Sequence, residues 1–483
     1  MSLKKKVLHA LGWMAGVKIA GQLLNWAMTI YVIRLLTPSD YGVMAIASMF
    51  VGLLSLLNEM GMGAALIQSR RLDDSILRQI FGLVIIINFC LCLVLFCSSP
   101  LIATFFDETR LKAIVRVLSF EFILMSFAVI PQSLLERELD FKRKSIVDFV
   151  ANVGGGICTL WLAFLGKGVW SLVGGSVITV FFRTFGVNII SPFKSLPRFS
   201  FRGMRATISF GGLLTFERVL WYFYTQADIF IIGKVLGKEV LGFYSVAKHL
   251  SSLISQKVMP IINQVAFPAF SKIQNDKAKV AFYQLKAIRI LSFIIFPVYF
   301  GIACVAPELV SLVLGEKWHA VALPLQILSL IMPIRMLNML GHPVIIGLGR
   351  ADVSFVNLLI LSVLMPTAFL MGSNWGIMGI CIAWLSVYPI GWFITLKRTL
   401  PIIGISLVDY FTAIYRSALS SFVMLLLVFG VRFFSTWALT PTENLVLLLV
   451  VGIATIAGLV SFVNRNGYSE IITLSREALR LRP

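Results

Sequence analysis

The chain has 483 residues, of which 58% are hydrophobic and only 13% charged, and its mean hydropathy is +0.92, which no soluble domain of this size reaches. Its formal net charge of +20 does not point to nucleic acid, because the cations sit in short loops between apolar runs, as expected of the cytoplasmic loops of a polytopic membrane protein.

The first apolar segment, residues 12–34, is long enough to span a bilayer but carries a polar line. Lys18, Gln22, Asn25 and Thr29 recur at helical spacing and share one face. A charge in the hydrocarbon costs about 2.5–3.5 kcal/mol, so that face should look into protein or water. Lys18 also interrupts what would otherwise read as a signal-peptide core, which favours an uncleaved helix.

Further spans follow at residues 41–66, 79–104, 113–135, 146–166, 168–190, 206–235, 240–268, 281–305, 319–346, 352–372, 375–396, 410–434 and 443–463, about fourteen in all. Lysines and arginines cluster after the even-numbered spans, as in Arg137, Lys142, Arg143 and Lys144, whereas odd exits such as TPSDYG and LGKG carry few. Both termini are therefore expected in the cytoplasm.

Sliding the chain about 200 residues along itself places Arg34 on Lys234, Gly42 on Gly242 and Ala47 on Ala247. With small gaps, Pro100 falls on Pro307, Leu118-Ser119 on Leu328-Ser329, Phe149-Val150 on Phe355-Val356 and Gly168-Val169 on Gly376-Ile377. An offset of six helices keeps the orientation, so the repeat is parallel. The expected fold is an all-α polytopic membrane protein with two six-helix lobes and two C-terminal helices. Its parts are an N-terminal lobe at 1–190, a linker at 191–205, a C-terminal lobe at 206–400 and an appendix at 401–483.

The same register lays Lys18 over Arg218, Gln22 over Tyr222 and Asn25 over Thr225. Span 7 is the most polar, with Glu217, Trp221, Tyr224 and Asp228 in one stripe and Arg218, Tyr222 and Thr225 beside it. One reading pairs these charges across helices merely to be tolerated; the other makes them a cavity wall in which cations hold an anion, aromatic rings stack on sugar or lipid, and a carboxylate carries a coupling ion. Lys248, Lys257 and Arg335 add cations on spans 8 and 10, with snorkelling the plain alternative for Lys248, and Glu59 adds an acid on span 2. His249 and His342 read as structural hydrogen-bonders, and Arg183 and Asp148 as ordinary interface residues. The six cysteines read as small buried hydrophobes, without metal-ligand spacing. No Walker A, HExxH or GxSxG pattern occurs, so neither a cofactor, a metal nor an enzyme activity is expected.

The run LTPSDYGVMAIASMFVGLLSLLNEMGMGAALIQ (36–68) and PQSLLERELDFKRK (131–144) closely resemble the polysaccharide-transport family. These are the Wzx-type flippases of the multidrug/oligosaccharidyl-lipid/polysaccharide exporter superfamily, in its lipopolysaccharide and colanic-acid branch. The resemblance implies a bacterial inner-membrane flippase that moves a polyprenyl-diphosphate-linked oligosaccharide outward by alternating access. The polysaccharide polymerase and chain-length machinery are its candidate protein partners, and membrane lipids its surroundings. It also implies that Lys18 stands where the lipid II flippase carries a cavity arginine, with the lipid tail staying in the bilayer through a portal beside helices 1 and 8. On this reading Lys18, Gln22, Asn25, Arg218, Tyr222, Lys248, Lys257 and Arg335 bind substrate, and Glu59, Glu217 and Asp228 couple an ion or pair structurally. The alternatives are a cation-coupled drug antiporter, which calls for an acid that residues 12–34 lack, and a non-transporting scaffold of polysaccharide assembly.

Overall fold

A computed structural model describes residues 21–22, 24–58, 74–138, 140–193, 195–199, 205–435 and 440–462. Fourteen helices follow one another: α1 (residues 24–35), α2 (Pro38–Asn58), α3 (Asp74–Phe105), α4 (Arg110–Ser126, continued after a bend as Val129–Arg137), α5 (Phe141–Phe164), α6 (Val169–Ile190), α7 (Arg205–Val235), α8 (Gly237–Lys272), α9 (Lys277–Val313), α10 (Ala322–Gly347), α11 (Ala351–Gly372), α12 (Gly376–Ile403), α13 (Leu407–Ser435) and α14 (Pro441–Phe462). They correspond one to one with the expected spans. The protein is an all-α polytopic membrane protein.

Nine stretches of the described residues are long and apolar enough to cross a bilayer, the stretch Ala351–Ile403 holding both α11 and α12, and the two segments of α4 qualify together across a 47° bend. Both α7 and α8 have the length but too much polarity to qualify. That polarity is the first structural pointer to function, since intramembrane charge persists only where it is used or paired.

Local chemistry sets the ends of these helices. At α2, the Thr37 amide and hydroxyl both donate to Asp40 Oδ2 (3.1 and 2.7 Å), and the Asp40 amide donates back to Thr37 Oγ1 (3.3 Å), a reciprocal capping pair. Asp140 and Asp276 cap α5 and α9 by accepting from the Arg143 and Lys279 amides, each at 3.1 Å. Prolines lie inside α3, α8, α9, α10, α11 and α12, as membrane helices tolerate when neighbours satisfy the freed carbonyls. Outward faces carry rows of exposed apolar side chains, among them Trp161, Phe185, Val363 and Ile453, suited to lipid. Cys92, Cys304 and Cys381 are buried as expected, but Cys90 and Cys97 are not. Seven residues apart on α3, they share the outward face with exposed Phe89 and Leu93, where a thiol is apolar enough for lipid.

The internal repeat reappears in the coordinates of each copy. Gly168 (φ 54°, ψ −130°), just before α6, and Gly376 (φ 66°, ψ −154°), the first residue of α12, share one conformation, open to glycine almost alone. Pro100 and Pro307 both fall in the last two turns of their helices, and Leu118, Ser119, Leu328 and Ser329 are all buried. The clearest sign lies where α2 meets the first turn of α8. A Cβ on Gly42 would stand 1.7 Å from the Lys238 carbonyl oxygen, and one on Gly242 would stand 1.8 Å from the Pro38 carbonyl oxygen. In the repeat register Pro38 answers to Lys238 and Gly42 to Gly242, so each copy of the motif makes the same contact with the other.

By packing, the chain forms two units, Met1–Gly242 and Phe243–Pro483. Whereas the sequence repeat assigns α7 to the second lobe, its packing lies with the first unit: the Tyr222 hydroxyl donates to the Met49 carbonyl of α2 (2.9 Å), over Gly52, whose missing Cβ makes the room.

Candidate functional site

In the second unit, three helices converge on one tryptophan. Trp384 of α12 is fully buried; its indole N–H donates to the Tyr244 hydroxyl of α8 at 2.8 Å, and the Arg335 guanidinium of α10 lies 4.2 Å from its ring centroid. Phe369 and Tyr388 pack on the same indole with centroids 5.1 and 5.6 Å away. Asn338, on the same helix as Arg335, donates to the Tyr388 hydroxyl (3.1 Å) and accepts from Thr395 (3.3 Å), which holds α10 and α12 together beside the arginine.

Arg335 is half-buried within its helix and has no carboxylate in ion-pair range among the described residues. Its only hydrogen bond there is a long contact to Met332 Sδ (3.6 Å). A guanidinium offers five donors in a planar fork, and the indole face fixes that plane while neutralising none of the charge. The arrangement leaves the guanidinium's charge without a carboxylate among the described residues.

Lys248 is half-buried one turn along α8 from Tyr244, on the face directed to the same group. Lys257 is exposed and, nine residues further on, is about half a turn out of phase, so α8 does not present both lysines to Arg335. His342 donates to or accepts from Ser354 Oγ (2.8 Å), a structural role as expected.

In the first unit, Arg218 is exposed and Glu217 half-buried, and neither has an ion pair among the described residues. Along the anticipated stripe Trp221 faces outward whereas Tyr224 and Asp228 are buried, Asp228 completely, with its Oδ1 accepting from the Ile229 amide (2.8 Å). Tyr222 is committed to α2 through its hydroxyl. Gln22 and Asn25 are half-buried, and the Asn25 amide oxygen lies beside Gly156 of α5. Lys18 and Glu59 lie outside the described residues. Arg183 and Asp148 pair with each other at 3.0 Å across α5 and α6.

One cluster has no counterpart in the sequence reading. At the end of the first unit where odd-numbered helices exit, Glu108 is 5% exposed and takes hydrogen bonds from the Arg110 guanidinium (2.9 Å) and amide (3.1 Å) and from Lys238. Arg110 also reaches Asp40 (3.4 Å) and Ser39 (2.9 Å). Burial alone would raise the Glu108 pKa, but the donors from Arg110 and Lys238 outweigh it and hold the carboxyl at about 2. The α1–α2, α3–α4 and α7–α8 corners are thereby fastened together. Single residues in loops carry no periodic signal, which is why a chain scan passes over them.

Residues 31–323 match the Polysaccharide biosynthesis protein family, more than half of the chain. The chain belongs to that family. Among its curated relatives is the lipopolysaccharide biosynthesis protein WzxC of Escherichia coli, 26% identical over 86% of this chain and 85% of WzxC. The succinoglycan biosynthesis transport protein ExoT of Rhizobium meliloti is 24% identical over 79% of this chain and 78% of its own. Among solved structures, the lipid II flippase MurJ in an inward closed conformation superposes with a TM-score of 0.75 at 14% identity, covering 92% of this chain and 98% of MurJ. An inward-facing multidrug-resistance transporter of the MATE family, in the MOP superfamily, gives 0.63 at 17% identity over 80% and 96%. The family member described here thus has the fold of those transporters.

Proposed function

We propose that this polysaccharide biosynthesis protein is a flippase that carries a polyprenyl-diphosphate-linked oligosaccharide, an O-antigen or exopolysaccharide repeat unit, outward across the bacterial inner membrane by alternating access. The observation that carries the proposal is Arg335, held over Trp384 with no carboxylate partner among the described residues. A cation kept uncompensated inside a membrane helix is stabilised when an anion arrives, and a diphosphate brings the charge. The names of WzxC and ExoT support the glycan.

In this reading Lys18, Arg218, Lys248 and Arg335 take the diphosphate, and Gln22 and Asn25 face the sugars. The lobes are those of the repeat, 1–190 and 206–400, with the linker at 191–205 and helices α13 and α14 appended. Both termini are cytoplasmic, the protein works as a transporter without a cofactor, and the glycan polymerase is its neighbour in the membrane. Lys257, exposed and out of phase with Lys248, serves the lipid interface.

Complementation of a flippase-deficient strain tests this directly. K18A, R218A and R335A should each lower surface glycan by about tenfold or more, the loss of a charge-assisted hydrogen bond of roughly 1.5–3 kcal/mol. Wild-type glycan from all three, at normal expression, would sink the cationic mechanism.

A further inference from the structure

Two carboxylates inside the spans are compensated by a cation. Glu308 of α9 pairs with Arg432 (3.0 Å) and accepts from Asn444 (3.0 Å), and Asp148 pairs with Arg183. Glu121 of α4 differs: it is 3% exposed, and its one polar partner among the described residues is a neutral hydroxyl, Ser176 of α6, which donates to Oε1 at 2.7 Å. It stands eleven positions past Arg110, the first residue of α4, or about 16 Å along the helix and near the middle of a hydrocarbon layer of about 30 Å.

The charged and titratable groups around it are all engaged elsewhere or remote. On α3, Asp74 and Arg78 lie at the helix start, Cys90 and Cys97 face outward, and Cys92 points to Ser119 (3.7 Å). On α2, Asp40 and Tyr41 sit in the first turn, Asp40 bound to Arg110. On α6, Arg183 is two turns past Ser176 and bound to Asp148. On α4 itself, Arg110 and Lys112 are in the first turn, and Arg116 lies over Phe96 (4.7 Å) and donates to Ser99 (3.1 Å). Glu59, beyond α2, is outside the described residues.

A second observation comes from α2. Asn58 is 7% exposed, its amide nitrogen touches Met125 Sδ (3.6 Å) one turn along α4 from Glu121, and its amide oxygen has no donor among the described residues. The buried layer therefore holds a carboxyl without a cation and an acceptor without a donor. An ionised carboxylate in that setting costs several kcal/mol, whereas the neutral acid costs little.

We propose that Glu121 is a proton-binding site and that its proton is a co-substrate of transport. The acid is neutral in the packing described here. When water reaches it, the O–H bond breaks, the electron pair stays on the carboxylate, and the proton passes to that water; reprotonation from water on the other side resets it. The coupling half of this assignment rests on the flippase reading, the protonation half does not.

Infrared difference spectra of the purified full chain in liposomes, titrated through neutral pH, should show a protonated-carboxyl C=O band that E121Q lacks. The glutamine keeps an oxygen for Ser176, so the variant should fold, which circular dichroism and its thermal midpoint check. Proton entry into the liposomes, followed with a trapped pH-sensitive dye under an imposed pH gradient, should fall by about tenfold in E121Q. Identical bands in the two proteins would overturn the protonation. Full complementation by E121Q with wild-type proton entry would overturn the coupling. Should the wild-type chain itself fail to restore surface glycan, the flippase reading falls, and the infrared band still decides the proton site.

Discussion

Gly42 and Gly242 admit no side chain because a carbonyl oxygen occupies the place of the Cβ. G42A or G242A should each lower stability by about 1–3 kcal/mol through overpacking, seen as a lower thermal unfolding midpoint in detergent. G301A is the contrasting case, since a Cβ there meets nothing within 4 Å. It should leave the midpoint unchanged or raise it slightly, as alanine favours the helix. Glu108 makes a separate prediction by pH. Its folded pKa of about 2 lies below the ordinary 4.5, so its contribution is fully present above pH 4.5 and lost as pH falls from there toward about 2. The difference in midpoint between wild type and E108Q should be constant above pH 5 and shrink below about 4.5.

Among the elements, α9, α13 and α14 are joined by a buried polar clamp as well as by the apolar cluster of Cys304, Val305, Met424, Leu425, Val428 and Leu448. Removing Arg432 strands Glu308, so R432A should cost about 3–5 kcal/mol, while the double replacement E308M/R432M should recover much of it. Chemical denaturation of the two variants provides the comparison. The helices themselves were legible from the sequence because their length and apolarity are dictated by the bilayer, and the repeat because glycine and proline punctuate both copies at the same places. Side-chain convergence was not. Arg335 stands on the expected helix, but Trp384, which orients it, is 49 positions away on a helix that reads as uniformly apolar. Glu121 hides for a similar reason: one acid in an apolar run carries no periodicity, and its partner Ser176 belongs to a different helix. The polarity of α7 and α8 was visible, but whether a given charge faces outward like Arg218 or inward like Asp228 depends on how each helix is rotated in the bundle.

At the scale of the whole molecule, the clustering of the odd-helix corners around Glu108 puts those loops at one end, as an even repeat requires. The charge asymmetry of the loops predicts an orientation with the even corners cytoplasmic. A cysteine placed at exposed Lys167 should react with a membrane-impermeant maleimide in intact cells, whereas one at exposed Asn275 should react only after permeabilisation. The reverse pattern would invert the topology and with it the direction of export.

The meeting of Gly42 with Lys238 and of Gly242 with Pro38 has a consequence for speed. A seal made from long side chains must freeze their rotamers each time it forms, at up to about 2 kcal/mol apiece, whereas glycine brings no such freedom to the contact. If α2 and the first turn of α8 part and rejoin in every cycle, this seam recloses without that entropic delay, and substitutions that merely enlarge it should slow turnover even where the folded protein survives.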